Sequence, residues 1–179
     1  MSIDLMVGLA HTMSLDSIES GVSRALADVL SLGGLPAVHA QFDPQKEVDS
    51  EATQNLSMDS PSVLCSLQGE PDKIQIVPFR VPLRSRHGIY EDSAFVSVSS
   101  FRPRSALGHA LTAAVAIGVA REQGLPIEDQ SLFFTSSEFL SSEEFLKRIR
   151  VSSASENYYG AASIFSKAYQ SLKIYPMPD

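Results

Sequence analysis

Two groups of basic residues are the part of this sequence whose residue types and spacing best suit the binding of an anion. The first is Arg102-Pro103-Arg104-Ser105, directly before a long apolar segment that begins at Ala106. A serine in that place is typical of a helix N-cap, and the free amide groups and partial positive charge of a helix start favour phosphate or carboxylate. Guanidinium groups add donors that suit the same anions. The sequence therefore predicts an anion site at Arg102, Arg104 and Ser105.

The second basic group lies on residues 80–92, a segment without a clean period that we predict to be a loop. Its members are Arg80, Arg84, Arg86 and His87. If this loop folds over the end of the following strand, both groups form one basic patch suited to an acidic protein surface, an anionic metabolite or a nucleic-acid backbone. The alternative is that these arginines neutralise acidic residues of the same chain.

Charge is unevenly distributed along the chain. The 179 residues have a formal net charge of −7. Residues 1–72 hold eleven acids and two bases, whereas residues 73–121 hold seven bases and two acids. An acidic whole argues against non-specific binding to nucleic acid, because that affinity comes from Lys and Arg neutralising phosphates. We therefore do not expect a nucleic-acid partner.

Residue types that serve catalysis or metal binding form no recognisable motif here. Metal-site spacing is missing among the histidines, which are His11, His39, His87 and His109. The single cysteine, Cys65, lies in an apolar run and is interpreted as a buried residue. Glu128 and Asp129 are adjacent acids whose ordinary explanation is an exposed turn. We expect no metal and no cofactor, we favour a non-enzymatic role, and catalytic residues are not assigned.

Length and composition predict a single domain over residues 1–179. The chain is 44% hydrophobic and 20% charged, which is ordinary for a globular domain. One cysteine permits no intramolecular disulfide, and the N-terminal residues do not resemble a signal peptide. The longest apolar stretch, 111–120, is too short to cross a bilayer. We expect a cytoplasmic protein that is not inserted in a membrane, with a mobile acidic loop near residues 43–61.

The elements that must position the basic groups follow from hydrophobic periodicity, helix caps and chain breakers. Ser14, Ser105 and Ser141 are predicted N-caps, and Gly33-Gly34 and Gly124 are predicted helix ends. Pro78 favours an edge strand and Pro82 a break, and a stripe of small residues on the second main helix comprises Gly108, Thr112, Ala116 and Ala120. Strands are predicted near residues 3–9, 37–42, 62–67, 73–79, 93–101 and 127–134, and helices near 14–33, 105–122, 141–151 and 158–172. This order predicts an α+β fold: a mixed sheet of about five or six strands, two main helices packed on one face, and C-terminal helices. The arrangement is loosely similar to a ferredoxin-type two-layer sandwich.

Residues 3–42 and 94–133 share one order of strand, capped helix, glycine and strand. An internal duplication explains this order, but so does the ordinary chemistry of β-α-β units, which favours a capping serine and a terminal glycine. The sequence leaves both explanations open.

Together these features predict a non-enzymatic cytoplasmic interaction protein that binds a protein partner through charge complementarity. An adaptor, a chaperone-like factor and an immunity-type inhibitor are its concrete forms. The alternative is a protein that binds, or acts on, an anionic small molecule held by the arginine cluster at the helix start. Composition and motifs do not indicate the oligomeric state.

Overall fold

The chain forms two sheets and four helices in the part of it that the computed structural model describes, which is residues 4–44, 55–84, 90–100, 105–129, 134, 139–150 and 158–172. In chain order the elements are β1 (Asp4–Gly8), β2 (Met13–Ser14), α1 (Leu15–Leu30), β3 (Val38–Phe42), β4 (Asn55–Leu56), β5 (Val63–Leu67), β6 (Lys73–Arg84), β7 (Tyr90–Ser100), α2 (Ala106–Gln123), β8 (Ile127–Asp129), β9 (Phe139–Leu140), α3 (Ser142–Ile149) and α4 (Tyr158–Leu172).

Seven strands form the main sheet in the order β3-β5-β6-β7-β1-β8-β9, and the helices pack on one of its faces. The predicted α+β class with two main helices on one face is therefore confirmed. All hydrogen-bonded neighbours in this sheet are antiparallel, whereas a mixed sheet was predicted, because neither α1 nor α2 connects two strands that lie next to each other. The seventh strand, β9, has two residues and carries too short a pattern for sequence reasoning to detect.

Alternation along the strands and helical spacing on α1 direct apolar side chains into one core between the sheet and the helices. Leu5 and Val7 of β1 are buried there, as are Val96 and Val98 of β7. Helix α2 is buried on nearly all sides because it contacts the sheet, α1 and α4. Even so, none of the described helices combines the length and apolarity needed to cross a membrane.

Three serine N-caps predicted from the sequence are present, at Ser14, Ser105 and Ser141. Gly124 ends α2 with φ of 65°, a left-handed conformation that glycine adopts without strain. Helix α1 ends earlier than the predicted glycine pair. Its C-cap is Ser31, with φ of 53°, and the Ser31 amide donates to the Ala27 and Asp28 carbonyls.

Glycine faces glycine at a close contact between the two main helices. A Cβ added to Gly118 would lie 2.9 Å from the Gly21 carbonyl carbon and from the Val22 nitrogen. The predicted stripe of small residues on α2, which comprises Gly108, Thr112, Ala116 and Ala120, does not include this position. Helical periodicity locates a small-residue face but does not tell which neighbouring helix lies against it.

Part of the predicted acidic loop, residues 43–61, is held against the body of the protein. Asn55–Leu56 pairs with Met13–Ser14 as a separate two-stranded sheet, and the Leu56 side chain is fully buried. Residues 45–54, which carry three of the acids of this loop, lie outside the described residues.

The two segments with a shared element order occupy different topologies. Strand β8 is separated from β7 by one strand, β1, whereas β3 is separated from β1 by β7, β6 and β5. The similar order of strand, helix and strand therefore does not place the two units in equivalent positions of the sheet.

Candidate functional site

A two-stranded extension of the main sheet carries two members of the second predicted basic group, Arg80 and Arg84. Strands β6 and β7 pair from Ile74↔Ser100 to Arg84↔Tyr90. The neighbouring strand β5 pairs with β6 only as far as Ile76, and β1 pairs with β7 only from Phe95 onward. Residues 80–84 and 90–94 therefore pair with each other beyond the last paired residues of β5 and β1, and we call them the arm.

The predicted loop over residues 80–92 is consequently wrong for most of its length, since both ends of it are β-strand. Pro78 and Pro82 are the reason that the sequence suggested a break or an edge. Leu9 donates its amide to the Ala94 carbonyl at 2.9 Å, so Ala94 and its partner Arg80 direct their backbone groups away from each other. By strand alternation, Pro78 and Pro82 also direct the missing N–H away from β7.

Both prolines direct the position of the missing N–H toward the side of β6 that pairs with β5 only as far as Ile76. Because the missing N–H of each proline is directed away from β7, proline costs nothing in the pairing of β6 with β7. Pro82 leaves this edge of the arm without a donor at one position, and Pro78 does the same just before the arm, which makes the edge a poorer template for strand addition. The arm is therefore suited to present side chains rather than a strand edge.

Arg80 is the predicted site residue whose side chain the structure describes on the arm. Its side chain is 54% exposed, and its Nη2 lies 3.9 Å from Oδ1 of Asp59, which is itself almost fully exposed. A pair so exposed contributes little to stability and leaves the guanidinium accessible to another acid. Neutralisation of Arg80 by the acids of residues 1–72 is therefore weak.

The other members of the two basic groups are placed less completely. Arg84 is the last paired residue of β6, opposite Tyr90, and nothing beyond its backbone is described. Arg86, His87, Arg102 and Arg104 lie outside the described residues. Convergence of the two groups into one patch therefore stays a prediction.

The start of α2, where an anion was predicted, already holds a carboxylate of the chain. Ser105 Oγ accepts a hydrogen bond from the Gly108 amide at 2.9 Å and donates to Asp72 Oδ2. A Cβ on Gly108 would lie 3.0 Å from the Asp72 carboxyl carbon, so glycine leaves the room that this carboxylate fills. Asp72 thereby supplies the negative charge that a helix N-terminus favours.

Sequence reasoning missed Asp72 because it precedes the helix by 33 residues and looked like an ordinary turn residue. The one local signal is Gly108 in the first turn of α2. Glycine disfavours helix formation, so its presence there indicates that space is needed for a neighbouring group.

A pair of aromatic residues lies at the base of the arm. Phe79 and Phe95 form the cross-strand pair next to it, with ring centroids 6.0 Å apart and ring planes at 28°. Beside this pair is a mostly apolar cavity of about 330 Å³ whose lining includes Phe95, Leu125 and Phe139. The Phe139 side chain is 61% exposed. Apolar surface of this kind next to a charged arm is suited to contact with another protein.

Arg121, one of the bases of residues 73–121, forms ion pairs with acids of the same chain. Its Nη1 lies 2.7 Å from Asp28 Oδ2, and its Nε donates to Glu143 Oε1 at 2.9 Å. These contacts join α2 to α1 and α3. The charge of Arg121 is therefore satisfied within the protein, in contrast to that of Arg80.

Residues with catalytic or metal-binding potential are used structurally or lie apart in the described part of the chain. Asp129 is buried and accepts a hydrogen bond from the Phe134 amide at 2.7 Å. Glu128 lies on the opposite face of β8, so the two acids do not form a pair. Burial raises the pKa of the Cys65 thiol to about 12, which opposes nucleophilic use. No group of three metal-ligating side chains occurs among the described residues.

No protein-family model, curated protein or solved structure matches this chain. Residue roles are therefore not carried over from a relative. The candidate site consists of the arm with Arg80, the aromatic pair at its base and the adjacent apolar cavity.

Proposed function

We propose that this chain is a cytoplasmic, non-enzymatic interaction protein that binds an acidic surface of a partner protein with its arm. The observation that carries the proposal is the pairing of residues 80–84 with 90–94 beyond the ends of β5 and β1. Two strands without a third are marginally stable in water. Contact with a partner would stabilise them and would use the basic residues that the arm carries.

Charge and apolar surface have different tasks in this proposal. An exposed arginine such as Arg80 steers association and orients the partner, but an exposed pair adds little affinity. Affinity at protein interfaces comes mainly from a few buried apolar or aromatic contacts. Phe139 and the cavity beside Phe95 supply surface for such contacts next to the arm.

The alternative, an anionic small molecule bound at the start of α2, has less support. The Asp72 carboxylate already accepts from Ser105 and lies against Gly108. A second anion at this place would meet a like charge. Among the concrete forms of an interaction protein, an adaptor or chaperone-like factor that recognises acidic protein surface suits the arm better than an inhibitor of a cationic toxin.

The test is affinity capture from the cells that make this protein, with the wild type and an Arg80→Glu/Arg84→Glu variant as baits. We expect proteins that are captured by the wild type to be lost with the variant and to be released from the wild type by salt, because screening weakens exposed charge pairs. An Arg24→Glu/Lys147→Glu variant is the matched control, since it makes the same change in net charge at two exposed positions outside the arm.

Capture that is equal for all three baits would contradict the proposal. So would capture that is lost equally with the arm variant and the control variant, because total charge rather than the arm would then decide binding.

A further inference from the structure

The apolar cavity beside the arm contains one charged side chain. Glu128 of β8 lies in its wall, together with Met6, Phe95, Leu125 and Phe139. The cavity has a volume of about 330 Å³, which is within the range of pockets that hold small ligands, roughly 300–1,000 Å³. None of the described residues that line it is basic. The negative charge of Glu128 is therefore not balanced by the cavity wall.

Strand pairing fixes the position of Glu128 in the cavity. Glu128 is opposite Met6 of β1 on one side and opposite Phe139 of β9 on the other. Side chains of such cross-strand neighbours share one face of the sheet, with Cβ atoms about 4.5–5.5 Å apart. This face is the one without helices, because Leu5 and Val7 of β1 are buried in the core and Met6 alternates with them. The Glu128 side chain thus lies between a thioether and an aromatic side chain.

The carboxylate of Glu128 is not used by the fold. Within the described part of the chain, its side chain forms neither a hydrogen bond nor an ion pair, although the residue is partly buried. Its neighbour Asp129, by contrast, accepts a hydrogen bond from the Phe134 amide. A carboxylate beside apolar side chains loses part of its hydration, which is unfavourable unless a partner replaces the water. A cation from outside the chain would supply both the opposite charge and the missing donors.

The part of the cavity next to Phe95 is suited to the apolar portion of such a ligand. Phe95 pairs with Gly8, two residues along β1 from Met6, which corresponds to about 6.8 Å at the usual rise of a strand. Glycine at this position leaves room for Leu125, since an added Cβ would lie 2.5 Å from Leu125 Cδ1. A ligand that spans this distance carries its charged group one or two carbons away from a ring or a branched alkyl group.

We propose that this cavity binds a small organic cation, namely an amine that is protonated at neutral pH and carries an aromatic or branched aliphatic group. Glu128 accepts hydrogen bonds from the ammonium group, and the Phe139 ring lies beside the same group. Aromatic faces attract cations, more strongly where water is excluded. Phe95 and Leu125 contact the apolar portion of the ligand. Such binding needs no partner protein, whereas the proposed function uses the cavity only as apolar surface.

The experiment titrates the purified protein with three probes of similar shape: phenethylammonium, the uncharged 2-phenylethanol and the anionic phenylacetate. The NMR signal of the Met6 methyl group reports binding, because Met6 lines the cavity. We expect phenethylammonium to bind about ten times more tightly than 2-phenylethanol, since hydrogen bonds between charged groups are stronger than those of neutral groups. Phenylacetate should not bind, because its carboxylate would meet that of Glu128.

Two variants test the role of the carboxylate. Glu128→Gln removes the charge and keeps the size of the side chain, so we expect it to weaken the binding of phenethylammonium about tenfold and to leave that of 2-phenylethanol unchanged. Glu122→Gln is the matched control and should keep the wild-type affinity for both, because Glu122 is an exposed acid at the end of α2 and is not part of the described cavity wall.

Three results would overturn the proposal. The first is a Met6 signal that does not move with phenethylammonium at any concentration up to its solubility. The second is equal affinity of the wild type for the amine and the alcohol, and the third is equal affinity of the wild type and Glu128→Gln for the amine. None of these results bears on the capture of a partner by the arm, which is measured separately.

Discussion

Ser105 has two hydrogen-bond partners at the start of α2, and its contribution to stability depends on both. Replacement of an N-cap serine by alanine costs about 0.5–2 kcal/mol. Asp72→Ala removes the acceptor of the Ser105 hydroxyl and a charge that the helix dipole favours, worth about 0.3–1 kcal/mol. Because the two residues share one hydrogen bond, we expect the double variant to deviate from additivity by about 0.5 kcal/mol or more in urea unfolding.

Ser14 provides the control for this cycle. It caps α1, at the start of a different helix from Ser105, by accepting the Ser17 amide at 3.1 Å. Ser14→Ala combined with Asp72→Ala should therefore be additive within about 0.5 kcal/mol. Additivity in the Ser105 cycle would contradict the role assigned to Asp72.

Cys65 titrates far above its usual range in the folded protein. Burial, with a smaller contribution from the Glu19 carboxylate, raises its pKa from 9.0 to about 12. The unfolded chain loses the thiol proton above pH 9 while the folded protein keeps it, so the free energy of unfolding should fall between pH 9 and 12. Cys65→Ala removes this contribution, and a comparison of its pH profile with that of the wild type measures it. Parallel profiles would show that the thiol is not protected by the fold.

At the scale of the elements, the contact between α1 and α2 depends on Gly118 more than on Gly21. A Cβ on Gly118 meets the backbone of α1 at 2.9 Å, whereas a Cβ on Gly21 meets Gly118 O at 3.5 Å, an ordinary contact. We expect Gly118→Ala to lower the free energy of unfolding by about 1–3 kcal/mol because the helices must separate. Gly21→Ala should be neutral or stabilising because alanine favours a helix by about 1 kcal/mol over glycine.

Urea unfolding of the two variants checks this asymmetry, since each is the other's control for helix propensity. Equal effects in both variants would mean that the helices are free to adjust at their crossing.

Elements with local signals were predictable from the sequence, and elements that depend on their neighbours were not. The caps at Ser14, Ser105 and Ser141 satisfy amides a few residues away, so their spacing predicts them. Pro82 predicted a break, but β6 continues through it. A proline fits in a strand where its position needs no hydrogen bond, and that depends on where the neighbouring strand β5 ends. The same limit applies to the candidate site, since the basic residues were found from the sequence but their place on an arm was not.

At the scale of the whole molecule, the charge asymmetry of the sequence does not translate directly into a basic face. Arg121 is held between Asp28 and Glu143, and the start of α2 is neutralised by Asp72. Arg80 lies on the arm with an exposed side chain and a weak contact to Asp59. Among the described bases of residues 73–121, Arg80 is the one that lies beyond the ends of β5 and β1, on the arm.

The most direct test of the proposed function removes the outer part of the arm, replaces its remaining arginine and keeps the sheet. Residues 82–92 are replaced by Asn-Gly, which favours a two-residue hairpin turn and closes it at the pair Val81↔Ser93, and Arg80, which this change retains, is replaced by Glu. We predict that this shortened protein keeps the thermal midpoint of the wild type within a few degrees, because the core is untouched, and no longer captures the partner in affinity capture from cells. Undiminished capture by the folded, shortened protein would contradict the claim that the arm is the binding element.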